Sequence, residues 1–213
     1  MNNIEHRQTE MAYIADEAVM EQQRRSKQLL YELNTTNYSD FEKIAELVKK
    51  LFGKAEKAFV TPPFYCDYGF NIEVGKNFYA NFNCTILDVA KVKIGDNCFM
   101  APNVSIYTAG HPIHPDSRNS LYEYGASVTI GDNVWIGGST VVVPGVHIGN
   151  NVVIGAGSVV TKDIPDWCIA AGNPCRVIRP ITEEDRKYYF KDKEFDVEAW
   201  ERINRKEMSD NEQ

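Results

Sequence analysis

The chain has 213 residues, 43% of them hydrophobic, which is enough for one domain with a real core and at most an appendage. Its 30 acids outweigh 23 Lys and Arg, for a net charge of -7. That balance argues against nucleic acid or an anionic membrane surface as a partner, since both require clustered cations, but it leaves room for a phosphate-bearing cofactor. No apolar run approaches the roughly 18 residues of a membrane span, and MNNIEHRQTE has neither an apolar stretch nor a cleavage pattern. The five cysteines are odd in number and form no C-x-x-C, so they are expected to be free thiols in a reducing cytoplasm.

In chain order, residues 1–59 read as a helical segment packing on the rest of the domain, with His6 in a mobile tail. Asp16 is placed to cap a helix running to about Leu33, with Val19, Met20, Leu29, Leu30 and Leu33 as its apolar residues. After NTTNYSD, the run Ser39-Asp40-Phe41-Glu42 fits a capping box with Ser39 as the cap. Phe41, Ile44, Leu47, Val48, Leu51 and Phe52 then come at helical spacing, and Gly53 is a plausible stop.

A repeat of six begins at Val74: VGKNFY, ANFNCT, ILDVAKVK (longer by two), IGDNCF, MAPNVS, IYTAGH. After a gap it resumes in phase as IGDNVW, IGGSTV, VVPGVH, IGNNVV, IGAGSV, VTKDIP. Such units make a solenoid, predicted over residues 60–180. First and fifth positions point inward and stack, while Gly and Asn take corners that a Cβ would crowd. Cys84 and Cys98 fall at fifth positions and are expected in the core. The phase breaks over residues 112–129, an excursion too long for an ordinary connection, and His111 stands at its root. His114 and His147 read as loop and surface residues. Residues 181–213 are expected to form a short capped helix over ITEEDRKYYF and a polar tail, disordered from about Asn204.

Several stretches together resemble the maltose and galactoside O-acetyltransferases, members of the hexapeptide-repeat acyltransferases. These are NFYANFNCTILD, IGDNCFMAPNVSIYTAGHPIH, VTIGDNVWIGGSTVVVPGVHIGNNVVIGAGSVVTKDIP and AAGNPCRVIR. The resemblance spans about Tyr13 to Phe190. It implies a mainly β fold: a left-handed parallel β-helix of hexapeptide repeats with N-terminal α-helices, an extruded loop and a short C-terminal helix. It also implies a homotrimer with active sites between subunits, and transfer of acetyl from acetyl-CoA to a sugar hydroxyl, commonly the 6-hydroxyl.

By the same resemblance His111 matches the catalytic histidine, suited by its pKa to take the hydroxyl proton in a direct attack with no acyl-enzyme. Glu123 is either a carboxylate on the other imidazole nitrogen or a solvated loop residue. Asn81 matches a residue near the acceptor and the reacting centre. Asp67 stands in the acceptor region where the galactoside enzyme has serine, a departure that bears on sugar preference, and Asp88 is at or next to the family's acceptor-binding aspartate. Asp16 corresponds either to a further acceptor contact or to a helix cap alone. Gly138 supplies a backbone N–H for the oxyanion, and Trp135 lines the pocket. Ala156, Thr161 and Lys162 match contacts along the coenzyme, and Arg176 and Arg179 match cations for its phosphates. No metal is expected: Pro112 and Pro115 interrupt the pair His111 and His114, and no third histidine is suitably spaced. The alternatives are a hexapeptide acetyltransferase acting on an amino sugar, serine or an antibiotic, and a non-catalytic scaffold.

Overall fold

The structure, a computed structural model, describes the backbone of residues 1–210 and the side chains of residues 1–204. Met1–Arg179 and Pro180–Gln213 form two separate units. The first unit opens with helix α1, Asn3–Gln8, in which the Asn2 side chain accepts from the Glu5 N–H and Glu5 reaches back. His6 therefore belongs to a capped helix and not to a tail. Helix α2, Glu17–Thr35, is capped by Asp16 as its sequence indicates. Helix α3, Phe41–Leu51, starts one residue later than expected, because Asp40 and not Ser39 accepts from Lys43 N–H at 3.0 Å. Ser39 instead donates its hydroxyl to Asn37 Oδ1. Asp and Ser cap about equally well, so the residue nearer the first turn prevails. Gly53 is no left-handed stop; a Cβ there would lie 2.2 Å from the Phe70 carbonyl oxygen, so glycine allows the chain to pass that loop.

Three parallel sheets make up the body of this unit. The first holds Phe64–Cys66, Cys84–Leu87, Ser105–Tyr107, Val141–Val142 and Val159–Val160. The second holds Lys54–Ala55, Ile72–Val74, Val92–Ile94, Val128–Ile130 and His147–Ile148. The third includes Ala58–Val60, Phe78–Ala80, Phe99–Met100, Trp135–Ile136, Val153–Ile154 and Cys168–Ala171. The chain visits second, third and first sheet in turn, so each circuit of three units is one coil of a three-sided solenoid. Its first rungs lie at Lys54 and Ala58, inside the segment read as helical.

First and fifth positions of every unit are buried, with Gly110 as the exception; Cys84 and Cys98 are among the buried ones. Leu30, Leu33, Ile44, Leu47, Val48 and Leu51 of α2 and α3 join the same core. Most fourth positions take the left-handed conformation: Asn77, Asn83, Asn97, Asn103, Asn133, Ser139, Gly145, Asn151 and Gly157 all have positive φ. The Asn side chains bond coil to coil, Asn77 to Asn97, Asn97 to Asn133 and Asn133 to Asn151.

The excursion is more ordered than a loop. It carries helix α4, Pro115–Asn119, whose N-cap is His114, and strand Tyr122–Gly125. That strand pairs antiparallel with Ala109–Gly110 on one side and with Tyr13–Ile14 on the other. The second unit holds a 3-10 turn at Glu183–Lys187, a hairpin of Tyr188–Phe190 with Lys193–Glu194, and helix α5, Val197–Asp210. The helix expected over ITEEDRKYYF is thus a single turn, and the end expected to be disordered continues α5 as far as Asp210. Residues 211–213 of that expected tail lie outside those described.

Candidate functional site

The corner between first and second sheets gathers the excursion and three acids. Each coil turns here through residues 67–71, 88–91, 108–127, 143–146 and then 161–163. Asp67, Asp88, His111, Glu123, Thr161 and Lys162 all lie on this edge. The corner between third and first sheets holds Asn81, Gly138 and Ala156, with Trp135 on the adjoining face at 55% exposure. Within one chain the expected site is therefore divided between two edges, a face apart.

At the first edge His111 is exposed, immediately beyond the strand Ala109–Gly110. Its ring makes no hydrogen bond among the described residues. Glu123 is half-buried in Tyr122–Gly125, and Tyr13 stands directly opposite it in the sheet register. Burial, then the Glu123 carboxylate, push the Tyr13 phenol well above its ordinary range, with Arg7 opposing. Asp67 is also shifted upward, first by burial and then by Glu123, with Lys27 opposing. Glu123 thus acts electrostatically on both the Tyr13 phenol and the Asp67 carboxyl.

Asp88 does not meet the expectation of an acceptor contact. It is 0% exposed, and its oxygens accept from the N–H groups of Asp67 at 3.0 Å, Tyr68 at 2.9 Å and Asn71 at 3.3 Å. Burial pushes its carboxyl up to about 7 despite those bonds. It closes the turn that carries Asp67. Asp16 is exposed and likewise occupied: Oδ1 accepts from Val19 N–H at 3.0 Å and Oδ2 from Asn3 Nδ2 at 2.9 Å. Those bonds, Asn3 first, lower its pKa. The geometry gives Asp16 the role of cap to α2, with one hydrogen bond to each carboxylate oxygen.

At the other edge Asn81 accepts from Phe82 N–H at 2.8 Å while its own N–H bonds to Met100. Gly138 and Ala156 carry backbone N–H groups without an acceptor among the described residues, as a site for a developing anion requires. Thr161, Lys162 and Arg176 are exposed; Arg176 bonds its neighbour's carbonyl at 2.8 Å. Arg179, also exposed, comes next in the same strand, Arg176–Pro180. No three of His, Cys, Asp and Glu gather to hold a metal among the described residues.

Two family descriptions match the chain: "Maltose acetyltransferase hexapeptide capping motif" over residues 9–56 and "Bacterial transferase hexapeptide (six repeats)" over residues 127–162. The galactoside O-acetyltransferase of Escherichia coli K12 is 52% identical over 177 residues, 83% of this chain and 87% of that protein. That of Lactococcus lactis is 42% identical over 193 residues, 90% and 93% of the two chains. The chain belongs to the maltose and galactoside O-acetyltransferases. A galactoside acetyltransferase solved with coenzyme A superposes at TM-score 0.89, with 48% identity, covering 92% of this chain and all of that one (100%). A maltose O-acetyltransferase from Clostridium difficile 630 superposes at 0.84 with 50% identity, covering 86% and 99%.

Two residues of this O-acetyltransferase escaped sequence reasoning. Tyr13 has no periodic pattern around it, since its strand is two residues long. Arg7 looks like one charge in a polar terminus. It is in fact 1% exposed, 4.2 Å over the Tyr68 ring, bonded to Val89 O and Gln22. Only contacts across the fold make either visible.

Proposed function

We propose that this O-acetyltransferase moves the acetyl group of acetyl-CoA to a sugar hydroxyl, the 6-hydroxyl of glucose, maltose or a related glycoside, with His111 as base. The observation that carries the reading is what two edges of the chain present. One presents an exposed imidazole beside carboxylates; the other presents the unused N–H groups of Gly138 and Ala156. The imidazole takes the hydroxyl proton as the oxygen attacks the thioester carbonyl. The new oxyanion is held by the Gly138 N–H. The C–S bond then breaks, and the coenzyme thiolate takes the proton back from the imidazolium. Asn81 and Asp67 supply polar contacts to the acceptor. Trp135, Ala156, Thr161 and Lys162 line the coenzyme, and Arg176 and Arg179 meet its phosphates, as guanidinium groups do well.

Because one chain divides these groups between two edges, each site is completed by a neighbouring subunit in a homotrimer. The five buried free cysteines support a reducing cytoplasm as the place of action. One observation favours a variant acceptor: Asp67 and Glu123 interact as like charges on the edge that carries His111, which suits the ammonium of an amino sugar.

The test is coenzyme thiol release from acetyl-CoA with glucose, maltose, galactosides, amino sugars, serine and chloramphenicol, run on wild type and His111→Ala. Sugar-dependent release that drops about 100-fold or more in the variant is expected. Near-normal turnover by His111→Ala would remove the base. Release with serine or chloramphenicol alone would replace the acceptor.

A further inference from the structure

We infer that Tyr13 is a positioning residue that holds the Glu123 carboxylate toward His111; this rests on His111 being the base. The antiparallel sheet of the excursion has three strands, with Tyr122–Gly125 in the middle. The register sets Tyr13 opposite Glu123 on one side, and Gly110 opposite Tyr124 on the other. Extended by one residue, the second register sets His111 opposite Glu123. Side chains directly opposed in antiparallel strands emerge on the same face, with Cβ atoms about 4.5–5.5 Å apart. Tyr13, Glu123 and His111 thus form one row, with the acid in the middle.

The outer members of that row differ in freedom. His111 is exposed, whereas Tyr13 is 1% exposed, fixed against Val19, Tyr68 and Val89. The Tyr13 hydroxyl faces the carboxylate from a rigid base. Glu123 and Asp67 repel as like charges, so a fixed donor opposite Glu123 is what keeps its carboxylate in the row. A phenol donating to one carboxylate oxygen stabilises the charged form and leaves the other oxygen for the imidazole N–H. The imidazole then keeps one tautomer, with its free nitrogen toward the hydroxyl. Arg7, packed on Tyr68 and bonded to Val89 O, closes the row from behind and ties α1 to it.

The experiment is a double-mutant cycle of Tyr13→Phe and Glu123→Gln in the full-length enzyme, with His111→Ala beside it. Phenylalanine keeps the packed ring, so the unfolding midpoint serves as the folding control. Tyr13→Phe is expected to lower kcat about tenfold with KM for acetyl-CoA unchanged, the size of one hydrogen bond to a charged group. In the Glu123→Gln background the same change is expected to cost nothing further. Equal losses in both backgrounds, or an unchanged kcat in Tyr13→Phe, would overturn the inference. A His111→Ala enzyme that still turns over would instead sink the base, whatever the cycle shows. Independently of turnover, crystal structures of wild type and Tyr13→Phe are expected to show a Glu123 oxygen at the His111 ring only in the wild type. The same Glu123 position in both would also overturn the inference.

Discussion

Asp88 holds together the turn beneath the site, and its carboxyl sits far from its ordinary 3.8, pushed up to about 7. Between those values the folded chain keeps a proton that the unfolded chain releases. Stability therefore declines as pH rises from about 4 to about 7 and levels off above, because the unfolded state binds fewer protons in that window. In Asp88→Asn the amide oxygen still accepts from Asp67 and Tyr68, and nothing titrates. The thermal midpoint of wild type is expected to fall relative to this variant between pH 4.5 and 7.5; parallel curves would show that the carboxyl stays charged throughout. His111 could be found in the sequence because the repeat ends on it. The burial of Asp88 could not, since the turn that encloses it is one coil earlier and leaves no local pattern.

At the scale of one hexapeptide unit, the glycine at the second position has a cause different from the corner role its sequence suggests. Left-handed corners belong to the fourth-position Asn residues. The second position instead lies where one coil crosses closely over the next. A Cβ on Gly95 would stand 2.1 Å from Asp132 Oδ1 and 2.8 Å from the Gly131 carbonyl. The same close approach recurs at Gly75, Gly131 and Gly149. It brings Asp132 Oδ1 to the Asp96 N–H at 2.7 Å and Asn150 Oδ1 to the Asp132 N–H at 2.8 Å, so the corner ladder depends on it. Gly95→Ala is expected to cost roughly 1–3 kcal/mol, the usual range for overpacking, and to lower the thermal midpoint. An unchanged midpoint would mean that neighbouring coils part without penalty. Periodicity made the coils and their inward residues legible. It missed the strand Tyr122–Gly125, whose partners are a loop root and a terminal strand rather than the next coil. It also set the α3 cap one residue early, because Ser39 and Asp40 carry the same signal.

On the scale of the whole molecule, the decisive feature is that the residues proposed for the site fall on two edges of one prism. The sequence revealed which residues match the family but not where they stand, because edge assignment comes from counting strands around the coil. The face between the two edges is the first sheet, where a strand such as Phe64–Cys66 has three residues, about 10 Å at 3.3 Å per residue. His111 on one edge and Asn81 on the next are too far apart to reach one thioester carbonyl. If each site joins the His111 edge of one subunit to the Asn81 edge of its neighbour, the two functions must complement in trans. His111→Ala and Asn81→Ala, each nearly inactive alone, are expected to regain activity when denatured together and refolded as mixed trimers. With equal amounts and random assembly, a site is intact when an Asn81→Ala subunit supplies the histidine and a His111→Ala subunit supplies the asparagine, which is about one site in four in a cyclic trimer. Recovery to about a quarter of wild-type turnover would place both residues in one shared site. No recovery, in mixtures shown by mass to contain hybrid trimers, would place both functions within a single chain and remove the geometric reason for assembly.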